Sequence, residues 1–225
     1  MLEISEKKDE GIRMKKALIW DLDGTLLDSY GIIVSSLKET LAELEVNISE
    51  QEILNYVITY SVSAFIKKMA EELDKVPEEI AKRSSEISGA RNLQIKLIPN
   101  AMEVLQAVSD MRVTNYIYTH KGKSTEEVLE NLGIKQFFDE IITNQSGFAR
   151  KPRPDAINYL VKKHQLCKES TFYVGDRSID VECAVNAGIK SILFLVEGSC
   201  VKTNGKEDYV IRDLIEIKDI MDRES

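Results

Sequence analysis

Two carboxylates, Asp21 and Asp23, stand directly after a short apolar run and are followed by Gly24. Carboxylates this close together can divide acid and base roles between them, or bind a hard cation through oxygen. Residues 17–20 contain no polar break, which predicts a strand buried on both faces, as in a parallel sheet. Because ligands of open α/β sheets lie at the carboxyl ends of strands, this pair occupies a position suited to chemistry.

Two simpler interpretations of this Asp-x-Asp-Gly segment are a solvated turn and a calcium-binding loop. A calcium loop needs oxygen ligands at alternate positions and a Glu at the twelfth. Counted from Asp21, the twelfth position is Ile32. The segment is therefore not a calcium loop, while the turn stays open on these residues alone.

Other polar residues stand at the ends of predicted strands or at the starts of predicted helices. Thr119 ends one strand, Lys151 opens a helix, and Asp176 ends a further strand with Asp180 four residues later. Each side chain could therefore face one crevice together with Asp21. Taken singly, Thr119 could be an ordinary strand residue, Lys151 a solvated cation, and the two acids ordinary residues of a first helical turn.

The elements that must position these residues alternate along most of the chain. Apolar runs predict strands, and helical periodicity with Pro and Gly boundaries predicts helices between them. The strands are predicted at 17–20, 113–118, 138–142, 171–174, 191–196 and 209–211, and the helices at 101–108, 124–132, 154–164 and 178–187. Such alternation indicates an α/β protein with a doubly wound parallel sheet covered on both faces.

Residues 30–96 have a different character, because apolar residues recur there at helical spacing and no clear strand is present. Four helices are expected, the second opened by a capping box between Ser49 and Glu52 and the fourth by Pro77. The chain is thus divided into a polar leader at 1–14, expected to be disordered, an α/β core at 15–29 and 97–225, and a helical insertion at 30–96.

The segment Asp21-x-Asp23-Gly24-Thr25-Leu26-x-Asp28-Ser29 resembles the first motif of the haloacid dehalogenase (HAD) superfamily. The later residues Thr119, Lys151 and Asp176 with Asp180 resemble its other three motifs, in the same order. The stretches Gly147-Phe148-Ala149-Arg150-Lys151-Pro152 and Ala184-x-x-Ala187-Gly188 resemble the phosphoglycolate-phosphatase-like branch. The resemblance implies a Rossmann-like core with the inserted helices as a C1 cap, and the ordered set favours function over the simpler interpretations.

The resemblance implies a role for each acid. Asp21 would be the nucleophile that forms an aspartyl-phosphate, and Asp23 the general acid and then the base that activates water. Oxygen ligands favour Mg²⁺. Its implied ligands are the Asp21 carboxylate, the Asp23 main-chain carbonyl and Asp176, with Asp180 as a direct or water-mediated support.

The implied phosphate-binding residues are Thr119, His120 and Lys151. Lys151 would offset charge on the phosphoryl group, and Thr119 would donate its hydroxyl to it. His120 departs from the family, which usually has Asn there. Its ring either contacts the phosphate or leaving group, or packs sideways so that only its main-chain amide matters, and both interpretations stay open.

The implied activity is a Mg²⁺-dependent phosphatase that acts on a small phosphorylated metabolite, with phosphoglycolate the nearest family substrate. Asp23 argues against a dehalogenase, whose leaving group needs no proton. A loop at residues 60–63 is expected to contact the substrate, although it could be a simple connection between helices. A substrate carboxylate could meet the insertion's cations, which are Lys38, Lys67, Lys68 and Arg91, although cations on helices are usually solvated. The alternatives are a phosphosugar mutase of β-phosphoglucomutase type and a non-catalytic regulator that binds phosphometabolites.

Composition limits the partners of this protein. The 225 residues carry a net charge of −8, so neither nucleic acid nor an anionic membrane is expected to bind. No apolar run approaches the roughly 20 residues of a membrane span. The three cysteines show no metal-binding spacing, which fits a reducing compartment, and the cytoplasm is inferred. A monomer or a homodimer is expected.

Overall fold

The computed structural model describes residues 15–196 and 199–224, so the predicted leader at 1–14 lies outside the described residues. The strands are β1 (Ala17–Trp20), β2 (Leu27–Asp28), β3 (Lys96–Leu97), β4 (Thr114–Tyr118), β5 (Phe138–Ile142), β6 (Thr171–Gly175), β7 (Lys190–Phe194) and β8 (Tyr209–Ile211). The α-helices are α1 (Tyr30–Ala42), α2 (Glu50–Thr59), α3 (Val62–Glu72), α4 (Pro77–Gly89), α5 (Ala101–Asp110), α6 (Thr125–Asn131), α7 (Asp155–Lys163), α8 (Ser178–Ala187) and α9 (Glu216–Arg223).

Six strands form one parallel sheet in the order β5-β4-β1-β6-β7-β8. From β1 the chain first adds β4 and β5 on one side and then β6, β7 and β8 on the other. Trp20, the last residue of β1, pairs with Ile117 on β4 and with Val174 on β6. The order of strands therefore reverses beside β1, and such a switch point opens a crevice at the carboxyl ends of the strands.

The four residues of β1 are completely buried and alternate between two apolar clusters. Leu18 and Trp20 lie in the cluster that includes residues of α5, α6 and α9, whereas Ala17 and Ile19 lie in the cluster with α7 and α8. Each fully buried large apolar side chain contributes about 1.5–3 kcal/mol relative to exposure. The predicted doubly wound parallel sheet, covered on both faces, is confirmed.

Helices α1 to α4 form a helical unit with an apolar cluster of its own, which includes Leu37, Ile53 and Phe65. The chain enters and leaves this unit through an antiparallel ribbon of β2 and β3, in which Leu27 pairs with Leu97. The predicted capping box is present, since the Ser49 hydroxyl oxygen accepts the Glu52 amide at 3.2 Å and the Glu52 carboxylate accepts the Ser49 amide at 3.2 Å.

Three of the strands and α-helices, namely β2, β3 and α9, have no counterpart among the predicted ones. The β2–β3 ribbon has two residues in each strand, too few to show an alternating pattern. Helix α9 is also short, and it buries Ile217, Ile220 and Met221 against the core.

In the part of the chain that the structure describes, no helix combines the length and apolar character needed to cross a membrane.

Candidate active site

Asp21 extends the central strand by one residue into the crevice. Its main-chain N–H donates to the carbonyl of Val174 at 2.9 Å, and its side chain is 2% exposed. The Lys151 ammonium lies 2.9 Å from Oδ1 of Asp21, and the Arg177 guanidinium lies 3.7 Å from Oδ2. Within residues 15–196 and 199–224, Oδ2 has no hydrogen-bond partner. A buried carboxylate oxygen without a hydrogen bond is costly, so it is available to an electrophile or a cation.

Lys151 is fully buried beside this carboxylate. Its Nζ lies 2.8 Å from Asp180 Oδ1 and about 5 Å above the ring centres of Tyr118 (5.2 Å) and Tyr173 (5.1 Å). Burial lowers the pKa of Lys151, but the charges of Asp180 and Asp21 more than offset this, so the pKa is raised and the side chain is a cation. Two acids and two aromatic faces thus fix the ammonium at one point.

A third acid completes a buried cluster of Asp21, Asp176 and Asp180. One oxygen from each of the three lies within 4.8 Å of the others. Burial raises the pKa of Asp176 to about 7, opposed by Arg177 and supported by the like charges of Asp180 and Asp21. Together with the unpartnered oxygen of Asp21, this concentration of negative charge fits a divalent cation, and an all-oxygen donor set suits a hard cation better than a soft one.

The approach of Asp180 to the cluster depends on Gly175 at the end of β6. A Cβ added at Gly175 would lie 2.4 Å from Cβ of Asp180, a separation that real Cβ atoms do not show. The Asp180 carboxylate also accepts the main-chain N–H of Arg177 at 3.1 Å, at the start of α8. Asp180 is therefore both a first-turn acid of α8, as the simpler interpretation proposed, and a member of the cluster.

Asp23 lies in a different environment from Asp21. Its side chain is 22% exposed and lines a cavity, and its Oδ1 accepts hydrogen bonds from Ser29 at 2.7 Å and from the Lys121 ammonium at 3.0 Å. Gly24 makes the turn after it at φ +84°, in the left-handed region. One carboxylate thus faces the buried cluster while the other faces the open cavity, a separation that suits two different roles.

Thr119 and His120 follow β4 at the same edge of the sheet. The Thr119 hydroxyl oxygen accepts the Lys121 main-chain N–H at 3.1 Å, which leaves the hydroxyl hydrogen available for donation. Nε2 of His120 accepts the main-chain N–H of Lys151 at 3.1 Å. Burial, then the cations Lys151 and Arg150, lower the pKa of His120 to about 2, so the ring is neutral. The ring supports the Lys151 segment and also lines the cavity.

Three residues near the acids were not among the predicted site residues, namely Tyr30, Lys121 and Arg177. The Tyr30 hydroxyl donates to Asp176 Oδ2 at 2.7 Å, and burial, followed by the charge of Asp176, raises the Tyr30 pKa well above its usual value. Among the described residues, Nε of Arg177 is buried with no hydrogen-bond partner. Lys121 and Arg177 each stand next to a predicted site residue, whereas Tyr30 follows Ser29, the last residue of the first motif; these positions are the one signal that the sequence offered.

A cavity of about 630 Å³ lies between the sheet edge and the helical unit. Its cationic lining comes from the core, through Lys121, Lys123, Arg150 and Arg177. The helical unit contributes small hydroxyl and apolar side chains, which include Ser61, Val62, Ser63, Ile66, Ser84 and Ser88. Of the loop expected at 60–63, residues 61–63 therefore line the cavity, whereas Tyr60 is not among the lining residues and is 60% exposed.

The cations expected from the helical unit are placed elsewhere. None of the four lines this cavity in the described ranges, and three form surface pairs, Lys38 with Glu50, Lys68 with Glu72 and Arg91 with Glu39. Lys67 is exposed. The expectation that these cations meet the substrate is wrong for this cavity, because Lys38, Lys68 and Arg91 pair with acids outside it and Lys67 is exposed to water.

Comparison with known proteins agrees with this geometry. Residues 18–194 match the family described as haloacid dehalogenase-like hydrolase, which is well over half of the chain. The chain belongs to this family of hydrolases, as its motifs predicted, and is therefore an enzyme.

Two relatives and one solved structure illustrate the similarity. The chain is 30% identical over 186 residues to a phosphoglycolate phosphatase of Vibrio vulnificus, covering 78% of this chain and 82% of that protein. It is 26% identical over 214 residues to the pyrophosphatase PpaX of Oceanobacillus iheyensis, and the alignment covers 92% of this chain and 95% of that protein. A crystal structure of a predicted phosphoglycolate phosphatase from Haemophilus somnus shares the fold, with a TM-score of 0.78 and 24% sequence identity. The superposition covers 93% of this chain and 99% of that chain.

Proposed function

We propose that this protein is a Mg²⁺-dependent phosphatase that hydrolyses a small phosphorylated metabolite through an aspartyl-phosphate on Asp21. One observation carries the proposal: Oδ2 of Asp21 is buried without a hydrogen bond among the described residues, on a carboxylate whose Oδ1 lies 2.9 Å from the buried Lys151 ammonium and which clusters with two further carboxylates. A nucleophile for an anionic phosphate needs positive charge beside it, in-line access and a partner that supplies a proton. Lys151 would supply the positive charge, the cavity that Asp23 lines would supply the access, and Asp23 would supply the proton.

The reaction would have two halves. In the first, an oxygen of Asp21 attacks phosphorus, the bond from phosphorus to the ester oxygen breaks, and Asp23 gives that oxygen its proton. In the second, Asp23 takes a proton from water, the water oxygen attacks phosphorus, and the bond to Asp21 breaks to release inorganic phosphate. Asp21 and Asp23 thereby return to their starting states.

The surrounding residues would hold the transferring phosphoryl group. Lys151 and Arg177 offset its charge, and Thr119 donates its free hydroxyl hydrogen. His120, which we predicted as a further phosphate ligand, would act through its ring on the Lys151 segment. Mg²⁺, held by Asp21, the Asp23 carbonyl, Asp176 and Asp180, supplies charge neutralisation when bound.

We propose that residues 30–96 are the cap of this enzyme and that residues 15–29 and 97–225 are its catalytic core. The helical unit has its own apolar cluster, is joined to the core by the β2–β3 ribbon, and forms one wall of the cavity. A cap in this position excludes water from the reaction and contacts the leaving group.

The cavity supports a substrate that carries a second anionic group beside the transferred phosphoryl group. Four cations line it against the single carboxylate of Asp23 among the described lining residues. Phosphoglycolate supplies a carboxylate and pyrophosphate a second phosphate, and these are the substrates that the names of the two relatives suggest.

We place the enzyme in the cytoplasm, as a monomer or a homodimer, on the sequence arguments above.

The test is phosphate release from a panel of phosphoglycolate, pyrophosphate and sugar phosphates in Mg²⁺. We expect turnover that is fastest on a doubly anionic substrate and is lost in Asp21→Asn. Asp139→Asn, which changes an exposed acid on β5, is the matched control and should leave turnover unchanged. Isomerised sugar phosphate without net release would instead indicate a β-phosphoglucomutase-type mutase. Binding without either product would indicate a phosphometabolite-binding regulator.

A further inference from the structure

The first turn of α1 carries two hydroxyl groups onto two acids of the core. Ser29 is the N-cap residue of α1, yet its hydroxyl is directed away from the helix and donates to Asp23 at 2.7 Å. Tyr30, the first residue of the helix, donates to Asp176 Oδ2 at 2.7 Å. The start of α1 is therefore bonded to one acid of the cavity, through its N-cap residue, and to one acid of the buried cluster, through its first helical residue.

The contact between Tyr30 and Asp176 is accommodated by Gly24. A Cβ added at Gly24 would lie 2.3 Å from Cε2 of Tyr30 and 2.5 Å from Oδ2 of Asp176. Any side chain at this position would thus collide with both partners of the hydrogen bond. The turn after Asp23 leaves space for the aromatic ring to reach the carboxylate.

We propose that Tyr30 is a positioning residue that orients the Asp176 carboxylate for the divalent cation and so couples metal binding to the docking of α1. This rests on the proposed function, which places a cation at Asp176. Within the part of the chain that the structure describes, the other oxygen of Asp176 accepts only a longer bond, from the Thr25 hydroxyl at 3.3 Å. Tyr30 therefore makes the shorter of the two hydroxyl bonds that fix this side chain.

A carboxylate has capacity for both a hydrogen bond and a metal bond. Its two oxygens offer about four lone-pair sites, so Asp176 can accept from Tyr30 and still ligate a cation. Hydrogen bonds to metal ligands fix the ligand's orientation, and their loss typically weakens metal affinity about 10–100-fold. Removal of the Tyr30 hydroxyl should have an effect in this range.

The experiment titrates Mn²⁺ into the full chain and follows the free ion by its electron paramagnetic resonance signal. Tyr30→Phe should weaken Mn²⁺ binding about tenfold. The matched control is Tyr159→Phe, since the Tyr159 hydroxyl also donates to a carboxylate, that of Glu140 at 3.0 Å, but on the surface. This control should bind Mn²⁺ within twofold of the wild type. Binding by Tyr30→Phe that is equally strong, or stronger, would overturn the proposal.

A second measurement needs no variant. If the docking of α1 favours metal binding, then metal binding must favour the docking of α1 to the same extent. Mn²⁺ should therefore slow amide hydrogen exchange in the first turns of α1 in the wild type. Unchanged exchange there on saturation with Mn²⁺ would contradict the coupling. A wild-type chain that binds no Mn²⁺ would overturn both this inference and the proposed metal. A chain that binds Mn²⁺ and releases phosphate with an unaffected Tyr30→Phe variant would overturn this inference alone.

Discussion

Charged side chains are buried at the sheet edge and exposed in the helical unit. At the sheet edge the side chains of Asp21, Lys151 and Asp180 are at most 2% exposed, and the Lys151 ammonium lies within 3 Å of an oxygen of each acid. In the helical unit the pair of Arg83 with Glu43 is almost half exposed at both partners. Buried ion pairs rarely add stability over apolar packing, whereas exposed pairs cost little. The buried charges are therefore best explained by chemistry, and the exposed ones by solubility.

The same contrast divides the cavity. The core presents four cations and the carboxylate of Asp23 to it, whereas the helical unit presents hydroxyl and apolar groups, such as Ser84 and Ile66. Charged groups at the sheet edge can stabilise a transferring phosphoryl group, and small groups opposite them set the size and shape of the space that remains. We infer that the reaction is determined by the core and the choice of substrate mainly by the fit against the helical unit.

The largest expected difference concerns the two kinds of ion pair. Lys151→Met should destabilise the protein by about 3–5 kcal/mol and abolish turnover, because it leaves two buried carboxylates without their cation. Arg83→Met, at the exposed pair, should leave the urea midpoint close to the wild type. Equilibrium urea unfolding checks both. Equal midpoints for the two variants would remove the contrast on which the account is based.

Mg²⁺ should raise the free energy of unfolding by binding at the buried cluster of acids and at no other site. At a Mg²⁺ concentration about 100 times the dissociation constant, binding to the folded state adds about 2.7 kcal/mol. Asp176→Asn should lose most of this gain, while Asp139→Asn should retain it, since Asp139 lies outside the cluster. Thermal melting with and without Mg²⁺ measures the gain. Full stabilisation of Asp176→Asn would place the cation elsewhere.

The pH dependence of stability should report the buried ring of His120. Its pKa is lowered to about 2 in the folded chain, so acid protonates the unfolded chain first and stability falls as the pH drops below about 6.5. From pH 7 to pH 5 this one group should cost about 2 kcal/mol. His120→Asn, which restores the residue usual in the family, should show a correspondingly smaller loss in urea unfolding at the two pH values. An identical loss would mean that the ring is not held neutral.

The smallest effect is expected on the helical side of the cavity. Ser84 is 7% exposed and lines the cavity from α4. Ser84→Ala should raise KM about two- to tenfold with kcat nearly unchanged, the effect of losing one neutral hydrogen bond to the substrate. Steady-state kinetics on the best substrate checks this. A fall in kcat at constant KM would mean that the helical unit takes part in the chemistry.

Much of the fold and of the site's location could be predicted from the sequence. The strands are continuous apolar runs, such as residues 17–20, and parallel strands bring their carboxyl ends to one edge. Asp21 and Asp176 had to lie near each other once β1 and β6 were neighbours. Their proximity therefore followed from the topology, whereas their chemical roles stay proposals.

The remaining features depend on tertiary packing that no local pattern reports. Whether Arg177 and Tyr30 turn toward the acids or toward water is decided by neighbours distant in sequence, since Tyr30 reaches Asp176 across 146 positions. The exposed cations of the helical unit were misassigned for the same reason. A polar residue on a helix shows that its face is solvated, but not which cavity that face meets.

The most direct test of the central claim is to isolate the covalent intermediate on Asp21. Acetyl phosphate has a leaving group that needs no proton, so Asp23→Asn should still transfer its phosphoryl group to Asp21 but should hydrolyse the product slowly. With acetyl phosphate labelled on its phosphorus and Mg²⁺ present, we expect label on the peptide that contains Asp21, up to one per chain and removed by hydroxylamine. The same label in a variant that also carries Asp21→Asn, or no label while Asp23→Asn releases phosphate, would contradict the account.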